Sequence, residues 1–164
     1  MKYAVAIDIG GTNTRVALID EEYKIEERAQ FSTDADNPEV TLFKIKQAID
    51  SFDKEIVGVG MSCPGPLDLI EGKILTTPNL HGKWHGLCIT KELENLIHKP
   101  VYLENDANLA ALAEAIIGEG KEYNIVQYLT VSTGLGAGLV INKKVFQGAH
   151  GFANEVANVC LWNN

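Results

Sequence analysis

The sequence predicts a mixed α/β fold, in which helices flank a sheet and an incomplete second domain of the same design follows. Three observations predict it. Short apolar runs typical of buried strands alternate with segments of helical periodicity. The first run ends in Asp8 and the pair Gly10-Gly11, and a second apolar run follows directly. The same order of strand, small polar residues, glycines and strand returns at residues 125–141, IVQYLTVSTGLGAGLVI.

Three strands are predicted at the start of the chain. Residues 2–9 form a continuous apolar run, which is typical of a buried strand. Residues 14–20 alternate between apolar and polar side chains and predict a second strand. Residues 23–31 predict a third strand, after a turn at Glu21 and Glu22.

A helix and a fourth strand follow. Pro38 suits the first position of a helix. Apolar residues three and four apart then lie on one face of that helix: Leu42, Ile45, Ile49 and Phe52. Residues 56–61 predict a buried strand, which ends in a rigid turn at residues 62–66, Ser-Cys-Pro-Gly-Pro.

The rest of the first domain is predicted as loop, helix, strand and helix. Residues 67–89 are irregular, and Thr90 can cap a short helix after them. A short strand at residues 101–103 precedes an Ala- and Leu-rich helix at residues 106–117, which two glycines stop.

The repeat divides the chain into two domains. The first takes residues 1–120, and residues 121–164 begin the second with three short strands. Strands without covering helices would leave apolar side chains and an open sheet edge exposed, which chains bury by association. We therefore expect a homodimer or larger homo-oligomer, with residues 125–147 as the candidate segment for exchange between copies.

Composition limits the classes of partner. A hydrophobic share of 46% with 22% charged residues is typical of a soluble globular protein. The formal net charge of −8 argues against a nucleic-acid or anionic-membrane partner, because those surfaces favour clustered Lys and Arg. No signal peptide or bilayer-spanning stretch is expected. Cys63, Cys88 and Cys160 are odd in number and far apart, which indicates reduced thiols in a cytoplasmic protein.

The two glycine turns, at residues 8–12 and 132–138, leave two alternatives open. Neither is a P-loop, because no G-K-[ST] follows, and neither opens a helix as a dinucleotide fingerprint does. Either turn alone is more often a tight hairpin and nothing more. Together they can present backbone N–H groups and Thr hydroxyls to the phosphates of one nucleotide across a cleft.

The order of the motifs resembles the ROK family of sugar kinases, the group of bacterial glucokinases, fructokinases and N-acetylmannosamine kinases. The matching segments are DIGGTNTRVAL, SCPGPLD, TPNLHGKWHG, LENDANLAALAE, and STGLGAGLVI with GAHGFANE. The resemblance implies a ribonuclease H-like fold of actin and hexokinase type, with a mixed sheet and flanking helices. It also implies phosphoryl transfer from ATP to a hydroxyl of a hexose or hexose derivative, with Mg²⁺.

The resemblance further implies a role for each matching residue. Phosphate contacts belong to the two glycine turns, at Asp8, Gly10, Gly11, Thr12, Thr133 and Gly134. Within that set Asp8 would lie near Mg²⁺, through water. Sugar contacts belong to Gly65, Asn79, Asn105 and Glu155. Asp106 would be the catalytic base.

Elementary chemistry supports Asp106 as a base. A sugar hydroxyl must lose its proton as it attacks the γ-phosphoryl group, and a positioned carboxylate typically gains about 10²–10⁴-fold. A helix N-terminus keeps such a carboxylate ionised. The alternative is that Asp106 only caps the helix, which is worth about 1 kcal/mol. In the irregular segment of residues 67–89, Trp84 is expected to pack the loop. His85 is expected to be a loop residue without a catalytic role.

Departures from the family pattern concern the second domain. After GAHGFA the family usually has Gly-Glu-x-Gly-His, whereas this chain has Asn154-Glu155-Val156-Ala157-Asn158. Asn158 thus replaces the histidine that usually contacts sugar and zinc. The cysteine-rich zinc motif does not follow, so we expect no zinc site.

Two other classes of function remain alternatives. One is a non-catalytic sugar-binding module or a truncated remnant of a kinase, because a site made by two lobes cannot close with an incomplete second lobe. The other is the transcriptional-repressor branch of the family, which needs a helix-turn-helix before the first strand. That strand begins at residue 2, so the sequence favours the kinase branch.

Overall fold

The computed structural model describes residues 1–131 and 134–156. The chain falls into two compact units, divided between Glu104 and Asn105. The helices are α1 (Pro38–Ser51), α2 (Ile89–Ile97) and α3 (Asp106–Ile116). The strands are β1 (Tyr3–Ile9), β2 (Asn13–Asp20), β3 (Ile25–Ser32), β4 (Ile56–Cys63), β5 (Leu67–Asp68), β6 (Lys73–Ile74), β7 (Val101–Asn105), β8 (Ile125–Val131), β9 (Leu135–Ile141) and β10 (Lys144–Val145).

The first unit is built on a mixed sheet in the order β3-β2-β1-β4-β7. The central strand β1 pairs antiparallel with β2 and parallel with β4. The predicted mixed sheet with flanking helices is therefore confirmed. Because β1 and β4 run in the same direction, their carboxyl ends meet at one edge of the sheet. That edge carries the first glycine turn and the turn after β4.

The core of the first unit lies between this sheet and its helices. The apolar face predicted for α1 is confirmed, since Leu42, Ile45, Ile49 and Phe52 are all buried. Trp84 is fully buried, and its indole Nε1 donates to the Asp34 carbonyl at 2.9 Å. The packing role predicted for Trp84 is therefore confirmed. The buried indole joins the segment around residues 77–89 to the loop before α1.

One local prediction in the first unit is wrong. Helix α2 begins at Ile89 with Cys88 as its N-cap, so Thr90 does not cap it. The Thr90 hydroxyl instead donates to the Gly72 carbonyl at 3.4 Å, since β6 and its turn lie against the start of α2. Threonine fits the capping preference, but the N-cap of α2 is Cys88, two residues before Thr90.

The second unit consists of α3 and a sheet in the order β10-β9-β8. Helix α3 packs on one face of this sheet, where Ala111, Ala115 and Val140 are fully buried. An expectation of strands without covering helices is therefore wrong for this face. A Cβ on Gly138 would lie 2.6 Å from the Ala107 carbonyl oxygen, so glycine allows this close approach. The unit begins before the predicted division at residue 120, because α3 packs with the strands that follow it.

The opposite face of the second sheet is apolar and open among the described residues. Exposed fractions are 65% for Ile125, 59% for Leu129 and 83% for Val131. These side chains alternate along β8 with the half-buried ones that face α3. Strands β8, β9 and β10 pair antiparallel in chain order, as β1, β2 and β3 do, which is the order that the predicted internal repeat expects.

Lys143 fixes the end of α3 within the second unit. Its ammonium group donates to the carbonyl oxygens of Ala115 at 2.7 Å, Lys121 at 2.6 Å and Tyr123 at 3.0 Å. A cation suits this position because the last carbonyls of a helix carry partial negative charge. No helix within the described residues is long and apolar enough to cross a membrane.

Candidate active site

Asp8 lies near the carboxyl end of β1 and is held from both sides. The strand register places it opposite Arg15 on β2 and opposite Ser62 on β4. The Ser62 hydroxyl donates to Oδ1 at 2.8 Å, and Arg15 Nη1 donates to Oδ2 at 2.9 Å. The Asp8 side chain is still 45% exposed. It can therefore also accept hydrogen bonds from water or from a hydrated cation.

The first glycine turn packs against a second turn that carries Asn79. The Gly10 N–H donates to the Asn13 carbonyl at 2.9 Å and closes the turn, with Thr12 exposed at its tip. A Cβ on Gly11 would lie 2.5 Å from the Cβ of Asn79 and 2.9 Å from its carbonyl oxygen. Glycine is thus required at position 11 by close approach. The structure brings a predicted phosphate residue into contact with a predicted sugar residue.

The turn that carries Asn79 is fixed by its neighbours. Thr77 and Leu80 form an isolated bridge, and Leu80 is fully buried. The His85 ring Nε2 lies 2.7 Å from the Leu80 carbonyl oxygen and 3.4 Å from that of Thr77. Since both partners are acceptors, the ring donates from Nε2. Sequence reasoning missed this anchor, because no spacing signal says which carbonyl a loop histidine reaches.

Gly65 lies in the turn that follows β4, and it is half-buried. The next residue, Pro66, accepts a hydrogen bond from the Leu75 N–H at 3.1 Å. This bond joins the turn to the segment after β6. No contact between Gly65 and Asn79 is among those of the described residues.

Asn105 and Asp106 begin α3 in the second unit. The Asn105 side chain is the N-cap: its Oδ1 accepts from the Ala107 N–H at 2.9 Å and from the Asn108 N–H at 3.4 Å. Asn105, and not Asp106, is therefore the N-cap of α3. Asp106 is the first helical residue and is exposed, and its Oδ1 accepts from the Ala107 N–H at 2.8 Å.

The remaining predicted residues of the second unit are Thr133, Gly134 and Glu155. Gly134 is exposed between β8 and β9, and Thr133 lies outside the described residues. Glu155 is exposed in the turn after β10. Asn154, which replaces a family glycine, has a φ of 68°. Asparagine tolerates this left-handed region better than most residues, which explains how the chain accommodates the departure. Asn158 and Cys160 lie outside the described residues.

The Asp8 carboxylate suits a magnesium ion held through water. Within residues 1–131 and 134–156, no group of three or more His, Cys, Asp or Glu could hold a metal. Mg²⁺ keeps several waters and is usually bound through one or two carboxylates together with substrate phosphates. The half-exposed carboxylate of Asp8 beside a glycine turn fits that requirement.

The sequence profile described as the ROK family matches residues 4–161. The chain belongs to the ROK family. Its relatives include kinases and regulators. A glucokinase from Thermotoga maritima is 32% identical over 98% of this chain and 51% of its own length. A xylose repressor from Bacillus subtilis is 28% identical over 97% of this chain and 42% of its own length.

Solved ROK structures share the fold. A hexokinase from Thermus thermophilus superposes with a TM-score of 0.89 at 32% identity, covering 98% of this chain and 54% of that protein. A glucokinase from Streptomyces griseus, solved with glucose and AMPPNP, gives 0.81 at 29% identity, covering 98% and 51%. The fold predicted from the resemblance is confirmed. The chain spans about half the length of the curated relatives it matches.

Proposed function

We propose that this ROK chain takes part in the phosphorylation of a hexose or hexose derivative by ATP. The observation that carries the proposal is the contact of Gly11 with Asn79 beside the Asp8 carboxylate. It places a turn suited to phosphate against a turn suited to a sugar hydroxyl, within one unit. A ROK glucokinase that shares the fold was solved with glucose and an ATP analogue, which supports the same pair of substrates here.

In this proposal Asp106 removes the proton from the attacking sugar hydroxyl. Asn105 fixes the start of the helix that carries Asp106, because two helix amides hold its Oδ1. The other predicted residues keep their proposed roles. Phosphates are bound by Gly10, Gly11, Thr12, Thr133 and Gly134, and the sugar by Gly65, Asn79, Asn105 and Glu155. The reaction then depends on positioning more than on covalent chemistry.

Asp8 is the residue that would hold Mg²⁺, through water. When bound, the ion neutralises charge on the transferring phosphoryl group. Asp8 itself keeps one carboxylate orientation, because donors occupy both of its oxygens. We place the protein in the cytoplasm, where ATP and free hexoses occur together.

A coupled ADP-release assay tests the kinase proposal. The chain is incubated with ATP, Mg²⁺ and a panel of glucose, fructose, mannose, N-acetylmannosamine and a β-glucoside. We expect sugar-dependent turnover that falls by about 10²-fold or more in Asp106→Asn. The matched control is Glu92→Gln, which removes an acid from the first turn of α2. Turnover that is equal in Asp106→Asn and wild type would refute the role of Asp106.

A non-catalytic sugar-binding protein is the second candidate. The 28% identity to a xylose repressor over 97% of this chain favours it, so the repressor branch stays open despite the sequence-based preference for kinases. Calorimetric titration with the same sugars distinguishes the two candidates. Sugar binding by folded protein without ADP release would support this candidate over the kinase.

We also propose that copies of the chain associate through the open face of β8. The exposed Ile125, Leu129 and Val131 form an apolar row that association would remove from water. Sedimentation at micromolar concentration is expected to give a dimer or larger species. Leu129→Lys should dissociate the oligomer. The control Gln127→Lys, at a position already polar on the same face, should change the oligomeric state less. A monodisperse wild-type monomer would refute the association.

A further inference from the structure

The Asp8 carboxylate is bound by side chains from both neighbouring strands. Arg15 of β2, Asp8 of β1 and Ser62 of β4 stand side by side in the strand register. We propose that Ser62 and Arg15 are positioning residues that act on the phosphate and metal site through Asp8, with opposite effects on the binding of a divalent cation. This inference rests on the proposed kinase function.

Ser62 sets the orientation of the carboxylate. Its side chain is buried, with 7% exposure, and its hydroxyl lies 2.8 Å from Asp8 Oδ1. The other acceptor within reach, the Ile7 carbonyl, is at 3.5 Å. A buried hydroxyl needs a partner, and the shorter contact identifies Asp8 as the principal one. Without this bond the carboxylate loses its only buried donor among the described contacts and can rotate toward Arg15.

Arg15 neutralises the carboxylate from the solvent side. Its side chain is 61% exposed, and among the described residues its hydrogen bond runs from Nη1 to Asp8 Oδ2 at 2.9 Å. A divalent cation near the same carboxylate would be repelled by the guanidinium, because like charges close to one site disfavour each other. Arg15 thus raises the cation concentration that the site requires, and Ser62 lowers it by holding the carboxylate in place.

The test measures AMPPNP binding to the folded chain by calorimetry at a series of Mg²⁺ concentrations. Ser62→Ala should raise the half-saturating Mg²⁺ concentration about tenfold, the range typical of residues that orient a metal-binding carboxylate. Arg15→Gln should lower it about two- to fivefold, in line with an exposed ion pair. Arg15→Lys should behave as wild type because it keeps the charge.

The matched control is Thr14→Val. Thr14 is buried in the same sheet and its hydroxyl lies 2.8 Å from that of Thr33, and no hydrogen bond from it to Asp8 is among those of the described residues. It should alter thermal stability and leave the Mg²⁺ dependence unchanged. An unchanged Mg²⁺ dependence in both Ser62→Ala and Arg15→Gln, or a shift in the same direction, would overturn the inference while leaving nucleotide binding intact.

A second measurement needs no nucleotide. Denaturant unfolding of Ser62→Ala, Asp8→Ala and the double variant gives the coupling between the two side chains. We expect about a fivefold coupling in the unfolding equilibrium constant, as for a typical hydrogen bond. Absence of coupling overturns the inference even if the wild type binds no AMPPNP. Coupling without any AMPPNP binding would instead refute the kinase function and, with it, the metal role of the two residues.

Discussion

Replacing Gly11 by alanine should weaken sugar binding, although Gly11 lies in the turn expected to bind phosphate. The new Cβ would stand 2.5 Å from the Asn79 Cβ, whereas ordinary contacts begin near 3.4 Å. The Asn79 turn must therefore recede by about 1 Å. Misplacement on that scale can cost about 10²-fold in rate. Overpacking at such a site also costs about 1–3 kcal/mol of stability.

The surroundings of Asn79 make this displacement costly. The nearest atoms to the new Cβ belong to the Asn79 main chain and its Cβ, so rotation of the side chain cannot relieve the overlap. The turn is also tied down at Leu80, which is fully buried and whose carbonyl accepts from His85. The overlap is therefore relieved by displacement of the Asn79 amide, where the sugar is proposed to bind.

The assay is the dissociation constant for the preferred sugar, measured by calorimetry without nucleotide. We expect Gly11→Ala to raise it at least tenfold. The matched control is Gly60→Ala, since a Cβ on Gly60, a strand residue of β4, meets nothing within 4 Å. A folded Gly11→Ala protein that binds the sugar within about twofold of wild type would refute the coupling between the two turns.

Three further predictions concern stability, each measured by denaturant unfolding. Lys143→Met should lower the free energy of unfolding by about 1–3 kcal/mol, because it removes the cation held by carbonyls at the end of α3. The control Lys144→Met, at an exposed position, should change the free energy of unfolding by less than about 0.5 kcal/mol. Trp84→Phe should cost about 2–3 kcal/mol, since it leaves the Asp34 carbonyl without the indole donor and creates a cavity. Asn154→Gly should raise stability by about 1 kcal/mol, because it relieves a φ of 68° and removes a buried amide nitrogen that has no partner among the described residues. Equal losses in the two lysine variants, an unchanged Trp84→Phe protein or a destabilised Asn154→Gly protein would contradict the respective argument.

The strands and helices could be predicted because their signals are local. Apolar runs and three-to-four spacing depend on which residues follow one another, and they place β1, β4 and α1 within a few residues. The glycine turns were recognisable for the same reason. The start of α2 was missed, since Thr90 suits an N-cap by residue type, whereas Cys88, which takes that position, makes no side-chain capping bond.

The contacts of the candidate site depend on distant parts of the chain. Gly11 must be a glycine because a Cβ there would overlap with Asn79. Ser62 reaches Asp8 because β1 and β4 are parallel neighbours in the sheet. No local pattern contains such a pairing. The role of His85 follows from the fold of its own loop, which again has no periodic signal. Sequence reasoning therefore located the candidate residues but not what holds them.

A variant of Asp8 distinguishes a kinase from a protein that only senses sugar. In our proposal both use the Asn79 turn, whereas the half-exposed Asp8 carboxylate, held by two donors beside a glycine turn, serves nucleotide binding. Asp8→Asn keeps the shape of the side chain and removes its charge, so the Ser62 bond can persist. We expect AMPPNP binding in Mg²⁺ to weaken about tenfold or more, while the sugar dissociation constant stays within about twofold. If instead the sugar constant changes and nucleotide binding does not, Asp8 serves the sugar turn, and the sugar-sensing function becomes the better account of this chain.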